Sequence, residues 1–302
     1  MAKCENNLTN IFHYLCNHNP CRMSELRELF FRHMGIPSRK PSAIEVVSAE
    51  GIYFFDAAGK RYTDLVSGVA VSNVGHRHPR VLAAVRDQLD RHMHLMVYGE
   101  YVQAPRVKLA RALTRQLPER LDAVYFVNSG SEAIEGALKL ARRSTGRHEV
   151  VAFRNAYHGG TAGALSILGN EELKNAFRPL IPGIRLLKFN DTVTLDYITE
   201  KTACVVVECI QAEAGIILPE EGFLEQLRQR CDTTGALLVI DDIQMGFGRT
   251  GSLFSFYNYG IDPDILCLAK GMGGGMPIGA FVSSRDLMDR LTYSPELGHI
   301  TT

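Results

Sequence analysis

The sequence predicts an α/β fold: a mostly parallel central sheet with helices on both faces. Two features carry the prediction. Short, nearly continuous Val/Ile/Leu runs recur from residue 123 onward, and several are separated by segments with helical spacing of apolar residues. Strands buried on both faces lose the apolar/polar alternation of a half-exposed sheet, and helices between them make parallel crossovers. At 302 residues, with 46% hydrophobic and 22% charged residues, the chain is long enough to bury a substantial core without disulfides or metals.

The first 22 residues are expected to be a disordered leader, or upstream sequence preceding a start at Met23. They hold Cys4, Cys16 and Cys21, but no CxxC pair, so the spacing does not favour zinc and no metal site is expected. From Met23 the pattern becomes regular. Ser24 is a candidate N-cap, followed by Leu26, Leu29, Phe30 and Phe31 on a helical face. Residues 44–48, 52–55 and 61–65 read as an antiparallel meander with Ala58-Gly59 as a turn. Helices are predicted from Pro79 to about Met93 and from about Pro105 to Gln116. The buried-type strands follow at 123–127, 149–153, 203–208, 236–240, 265–269 and 278–282, with helices at 131–143 and 221–233 between them. The expected organisation is a leader (1–22), an N-terminal segment with a small β-meander (23–75) and a large domain (76–302).

The balance of 33 Lys+Arg against 33 Asp+Glu argues against a nucleic-acid partner, which normally selects a basic surplus. No run approaches the roughly 18 apolar residues of a spanning helix. A signal peptide is not expected from the N-terminal pattern, and seven cysteines make an odd count. A cytoplasmic protein without membrane partners is expected.

Ligands of such sheets gather at the carboxyl ends of the strands. After the strand ending at Val127 comes Asn128-Ser-Gly-Ser-Glu-Ala133, a turn into a helix whose free N–H groups suit a phosphate. Its other reading is a plain N-cap at Ser131 with Glu132 and Glu135 complementing the dipole. Asp241 closes a second strand, with Gln244 as a neutral neighbour; it is an acid for a cationic heterocycle or simply a turn former. Lys270 closes a third and runs into Gly271-Met-Gly-Gly-Gly275. A desolvated amine there loses basicity and gains nucleophilicity; the alternative is a lysine snorkelling over strand-end carbonyls. Tyr157, in Asn155-Ala-Tyr-His-Gly159, stands past a fourth strand, where its ring could cover a cofactor's face or pack in the core.

A phosphate cup, an acid and a desolvated lysine are together what pyridoxal phosphate requires of a protein. The sequence resembles the class III pyridoxal-phosphate aminotransferases, the family of acetylornithine, ornithine and 4-aminobutyrate aminotransferases. The matching stretches are Ser67-Gly68 through Gly75-His-Arg-His-Pro79, Asn128 to Ala133, Tyr157-His-Gly159, Asp241 to Gly251 and Leu268 to Gly275, in family order.

The resemblance implies the pyridoxal-phosphate transferase fold of type I, and these roles. Lys270 carries the cofactor as a Schiff base and is catalytic together with Asp241, which pairs with the ring nitrogen. Gly130 and Ser131 hold the phosphate, Tyr157 stacks on the ring and Gln244 approaches its 3-hydroxyl oxygen. Thr302 reaches the phosphate of a neighbouring subunit, so a homodimer is implied. Glu213 stands at the substrate mouth. The implied reaction moves an amino group from an amino acid or ω-amino donor to a 2-oxo acid, 2-oxoglutarate above all, by a ping-pong mechanism. Alternatives are a same-fold aminomutase, decarboxylase or racemase, or a non-catalytic truncated fragment. The chain ends at Thr302, where family members continue into a C-terminal small domain, so that domain is expected to be missing.

Four positions depart from the family pattern: Cys209 for Pro, Ala212 for Gly, Asp242 for Glu and Met245 for Thr. If position 212 requires a positive φ, alanine there costs on the order of 1 kcal/mol and misplaces Glu213.

Overall fold

The computed structural model describes residues 24–96 and 99–291, so the leader and Thr302 lie outside the described residues. The chain divides into two compact units between Asp64 and Leu65.

In the first unit, helix α1 (Glu25–His33) starts at Ser24, whose hydroxyl accepts from Arg27 N at 3.2 Å. Glu25 and Glu28 in its first turn and Arg32 and His33 in its last complement the helix dipole. The meander forms as expected: β1 (Val46–Glu50), β2 (Tyr53–Asp56) and β3 (Arg61–Thr63) pair antiparallel in that order. Asp56 Oδ1 accepts from the backbone N–H groups of Ala58 and Lys60, each at 2.9 Å, which fixes the turn around Gly59.

The second unit opens with a left-handed turn, in which Ser67, Gly68, Val69 and Ala70 have φ of 53°, 65°, 59° and 66°. Helices α2 (Pro79–Leu89) and α3 (Ala104–Thr114) follow, each with proline in its first turn. The predicted continuation of the first to Met93 does not occur. Asp90 caps the helix, and Gln88 Nε2 turns to donate to His92 O at 2.8 Å.

The central sheet has seven strands: β4 (Ala123–Val127), β5 (Glu149–Phe153), β6 (Ile184–Leu187), β7 (Thr202–Val207), β8 (Leu237–Asp241), β9 (Ile265–Leu268) and β10 (Gly279–Ser283). Their spatial order is β4-β10-β9-β8-β7-β5-β6. β10 is antiparallel to both neighbours, β4 and β9, and all other pairings are parallel. Two reversals cancel, so β4 runs in the same direction as β9, β8, β7, β5 and β6. The carboxyl ends of these six strands lie along one edge, where β10 begins.

Alternate residues of each strand enter two separate cores, which is why the runs read as continuously apolar. Val205, Val207, Leu238 and Ile240 pack on one face, against Leu224 and Leu227 of helix α5 (Phe223–Thr234). Cys204, Val206, Val239 and Cys267 pack on the other, against Ile134, Ala137 and Ala141 of helix α4 (Gly130–Thr145). Helix α4 lies so close to the sheet that a Cβ on Gly136 would sit 2.2 Å from the Phe281 ring.

The sequence reading missed β6. It is a four-residue edge strand whose Arg185 pairs with Glu149 across the ladder, so it carries too little apolar signal. Among the described residues, no helix is long and apolar enough to cross a membrane.

Candidate active site

At the carboxyl edge of the sheet lies a cavity of about 440 Å³. That is within the range of small-molecule sites, about 300–1,000 Å³. Gly130, Ser131, Tyr157, Asp241, Gln244 and Lys270 all line it. Glu213 does not; it is exposed in the loop after β7, which the paired backbone bonds between Gln211 and Ile217 close at 3.0 Å each.

One wall is the N-terminus of α4. The cap is Ser129, whose hydroxyl accepts from Glu132 N at 3.2 Å while Glu132 Oε2 accepts from Asn128 N at 2.6 Å. In this variant of the capping box the glutamate reaches the residue before the cap, and the cap is Ser129 rather than Ser131, the alternative reading of this turn. The Ser131 hydroxyl is thereby left facing the cavity, where it accepts from Gly160 N at 3.3 Å. Glu135 accepts from Gly163 N at 2.7 Å and tethers the Tyr157–Ala164 segment to the helix. Gly159, with φ of 125°, comes so near that a Cβ would lie 2.2 Å from Ser131 Oγ.

The floor is formed by strand ends. Asp241 is 5% exposed; its Oδ1 accepts from Ile243 N at 3.1 Å and its Oδ2 lies 2.7 Å from His158 Nδ1. Burial acts to lower the pKa of His158, but the hydrogen bond and charge of Asp241, with the charge of Glu208, outweigh it and raise it above the ordinary imidazole value. His158 Nε2 is buried without a hydrogen-bond partner. Glu208 directly follows β7, and Asp241 ends β8. Its carboxylate accepts from Tyr157 N at 3.2 Å and Ala212 N at 3.4 Å, and burial pushes its pKa up to about 7.

Lys270 follows β9 with φ of 45°, and its Nζ donates to Gln244 Oε1 at 2.7 Å. Burial holds its pKa below the ordinary lysine value. Asp241, Glu213 and Glu208 oppose that effect, while the Arg249 cation reinforces it. Glu213, though outside the cavity lining, is therefore within electrostatic reach of the amine.

His158 and Glu208 were not singled out from sequence. Glu208 had the same signal as Asp241, a carboxylate closing a buried strand. His158 directly follows Tyr157 and has no separate local signal.

The departures from the family pattern resolve differently. Ala212 has no positive φ, so the expected backbone penalty does not arise; the left-handed residues of that loop are Gly215 and Ile216. Asp242 is fully buried and accepts from Ser255 N at 3.0 Å and from the Ser255 hydroxyl, which makes it a brace for the following loop. Burial pushes its pKa up to about 6.

Residues 36–302 match the family described as aminotransferase class-III. The chain is 42% identical over 267 residues to an acetylornithine aminotransferase of Methanopyrus kandleri, an alignment covering 88% of this chain and 68% of that one. A transaminase from the marine bacterium Virgibacillus superposes with a TM-score of 0.83 at 28% identity, covering 89% of this chain and 66% of that one. The ornithine aminotransferase of Toxoplasma gondii gives 0.81 at 30%, covering 93% and 70%. The chain belongs to the class III aminotransferases and has their type I fold; it spans about two thirds of the length of these relatives.

Proposed function

We propose that the chain is the cofactor-binding part of a pyridoxal-phosphate-dependent aminotransferase, acting in a homodimer in the cytoplasm. The observation that carries this reading is the convergence of a desolvated lysine, an Asp–His pair and a helix N-terminus on one cavity. The residues fit the cofactor. Lys270, the Asp241 carboxylate and Ser131 at the first turn of α4 line one cavity, which sets an amine, an acid and a helix N-terminus where an aldehyde, a ring nitrogen and a phosphate need them.

When bound, pyridoxal phosphate supplies an electrophilic carbon for the amino group and a ring that draws electrons from the substrate carbon. Lys270 Nζ would bind the cofactor as nucleophile, because its desolvation favours the neutral amine; displaced from that carbon by the donor's amino group, it would then carry a proton to and from the substrate carbon. Asp241, held by His158 and Ile243 N, would present its carboxylate to the ring nitrogen and favour the protonated form. Gly130 and Ser131 would offer the first-turn donors of α4 to the phosphate, Tyr157 would cover the ring face and Gln244 would approach the 3-hydroxyl. Thr302 contributes to the neighbouring subunit's phosphate site, and Glu213 acts at the substrate mouth. The favoured donor is an ω-amino acid or N-acylated ornithine, in line with the name of the Methanopyrus relative, and the acceptor is 2-oxoglutarate.

The test is a panel of amino donors, with 2-oxoglutarate as acceptor, followed by absorbance and mass of the cofactor. Conversion to the pyridoxamine form by at least one donor is expected. No conversion with any donor contradicts transamination, and carbon dioxide release or donor racemisation would assign a different reaction of the same fold.

A further inference from the structure

Asn73 lies three residues beyond the left-handed turn at Ser67–Ala70 and reaches two distant parts of the chain, the Phe247–Arg249 loop and Gly271. Its Nδ2 donates to Phe247 O at 2.9 Å, and its Oδ1 accepts from Arg249 Nε at 2.9 Å. Arg249 is held a second time, by Ser67 Oγ at 3.4 Å. The third neighbour is Gly271, the residue after Lys270, where a Cβ would lie 2.5 Å from Asn73 Nδ2 and 2.9 Å from its Cγ. Gly271 has no positive φ, so no backbone conformation demands glycine there. What excludes a side chain is the Asn73 amide, and that amide cannot yield without losing Phe247 O or Arg249.

Lys270 itself is left-handed, with φ of 45°. A non-glycine residue stays in that region only where its surroundings over-determine it. We propose that Asn73 is the positioning residue for Lys270: its amide clamps the Lys270–Gly271 turn to the Phe247–Arg249 loop and so fixes where the amine stands in the cavity. The clamp also keeps the Arg249 cation near the amine, one of the charges that holds Lys270 below the ordinary lysine pKa. Loosening the turn exposes the amine to water and lets the guanidinium swing away. Both changes favour the protonated, unreactive form. The inference rests on the reading of Lys270 as the reactive amine.

The experiment needs no cofactor. The purified chain is pulse-labelled with formaldehyde and cyanoborohydride from pH 6 to 10, and each lysine is followed by peptide mass spectrometry, with exposed Lys60 as internal standard. Relative to wild type, Asn73→Ala is expected to slow labelling of Lys270 about three- to tenfold at neutral pH, and Gly271→Ala to do the same by displacing the amide. Adding Gly271→Ala to Asn73→Ala should change nothing further, because the double variant removes one shared contact. An unchanged Lys270 profile in Asn73→Ala, or additive effects in the double variant, overturns the proposal. Should Asn73→Ala fail to fold, Arg249→Met, at an exposed position, removes one of the two hydrogen bonds. It is expected to slow Lys270 labelling by a smaller factor, and an unchanged profile again overturns the clamp. Failure of borohydride to trap pyridoxal phosphate on wild-type Lys270, with this labelling pattern intact, would sink the functional reading and leave the clamp standing.

Discussion

His158 and Asp241 face each other at the base of the cavity, Nδ1 to Oδ2 at 2.7 Å, on segments 83 residues apart in sequence. The imidazole holds Oδ2 while Ile243 N holds Oδ1, and both His158 and Asp241 line the cavity. Asp241→Asn should retain the fold and bind cofactor, yet slow proton transfer about a hundredfold or more, as expected for loss of the charge that supports acid–base chemistry. Single-turnover absorbance with an excess of amino donor measures this; an unchanged rate removes Asp241 from its proposed role.

Glu208 makes stability depend on pH. Its folded pKa, about 7, is raised from 4.5, so the folded chain keeps a proton that the unfolded chain releases. This contribution is full below about pH 4.5 and is lost as pH rises through 7. His158 has the same sign, with stability present below 6.5 and lost as pH passes its raised value, and Asp242 adds the same trend between 3.8 and about 6. Urea unfolding of Glu208→Gln between pH 5 and 8 should therefore give a flatter decline than wild type. Equal slopes would show that the carboxyl does not hold the proton.

Gly159→Ala should damage the phosphate end of the site. Its φ of 125° and the 2.2 Å approach to Ser131 Oγ leave no room for a methyl group. A loss of about 1–3 kcal/mol in stability is expected from the backbone strain, together with weaker binding of pyridoxal phosphate by fluorescence titration. Unchanged affinity would place the phosphate elsewhere.

Ala212→Gly, a change toward the family pattern, should not help. The residue is buried and has no positive φ, so glycine only adds freedom to the unfolded chain. A destabilisation of about 0.4–1 kcal/mol is expected in thermal or urea unfolding; a gain in stability would mean that the loop is strained at this position.

Much of this was legible in the sequence because burial writes itself into runs of side chains. Six strands of the large sheet showed as apolar runs, and Asp241 and Lys270 stood out because charge at the end of such a run is unexpected. Glu208 offered the same signal after Thr202–Val207. β6 was hidden because an edge strand needs only one buried face and its Arg185 interrupts the pattern. His158 and Asn73 were not legible. Their roles come from partners in other parts of the chain, 83 residues away for Asp241 and 174 for Phe247 O, and no local spacing encodes such a contact. The cap of α4 is Ser129, two residues before the Ser131 of the alternative reading; both serines satisfy the sequence rule, and the bond from Glu132 N to Ser129 Oγ decides between them.

The central claim is that Lys270 is the amine that holds the cofactor, and borohydride reduction tests it most directly. The purified chain is incubated with pyridoxal phosphate, reduced, digested and mapped by mass spectrometry, with Lys270→Ala alongside. The account predicts a pyridoxyl adduct on Lys270 in wild type and none in the variant. An adduct spread over surface lysines, or one unchanged by Lys270→Ala, would contradict it.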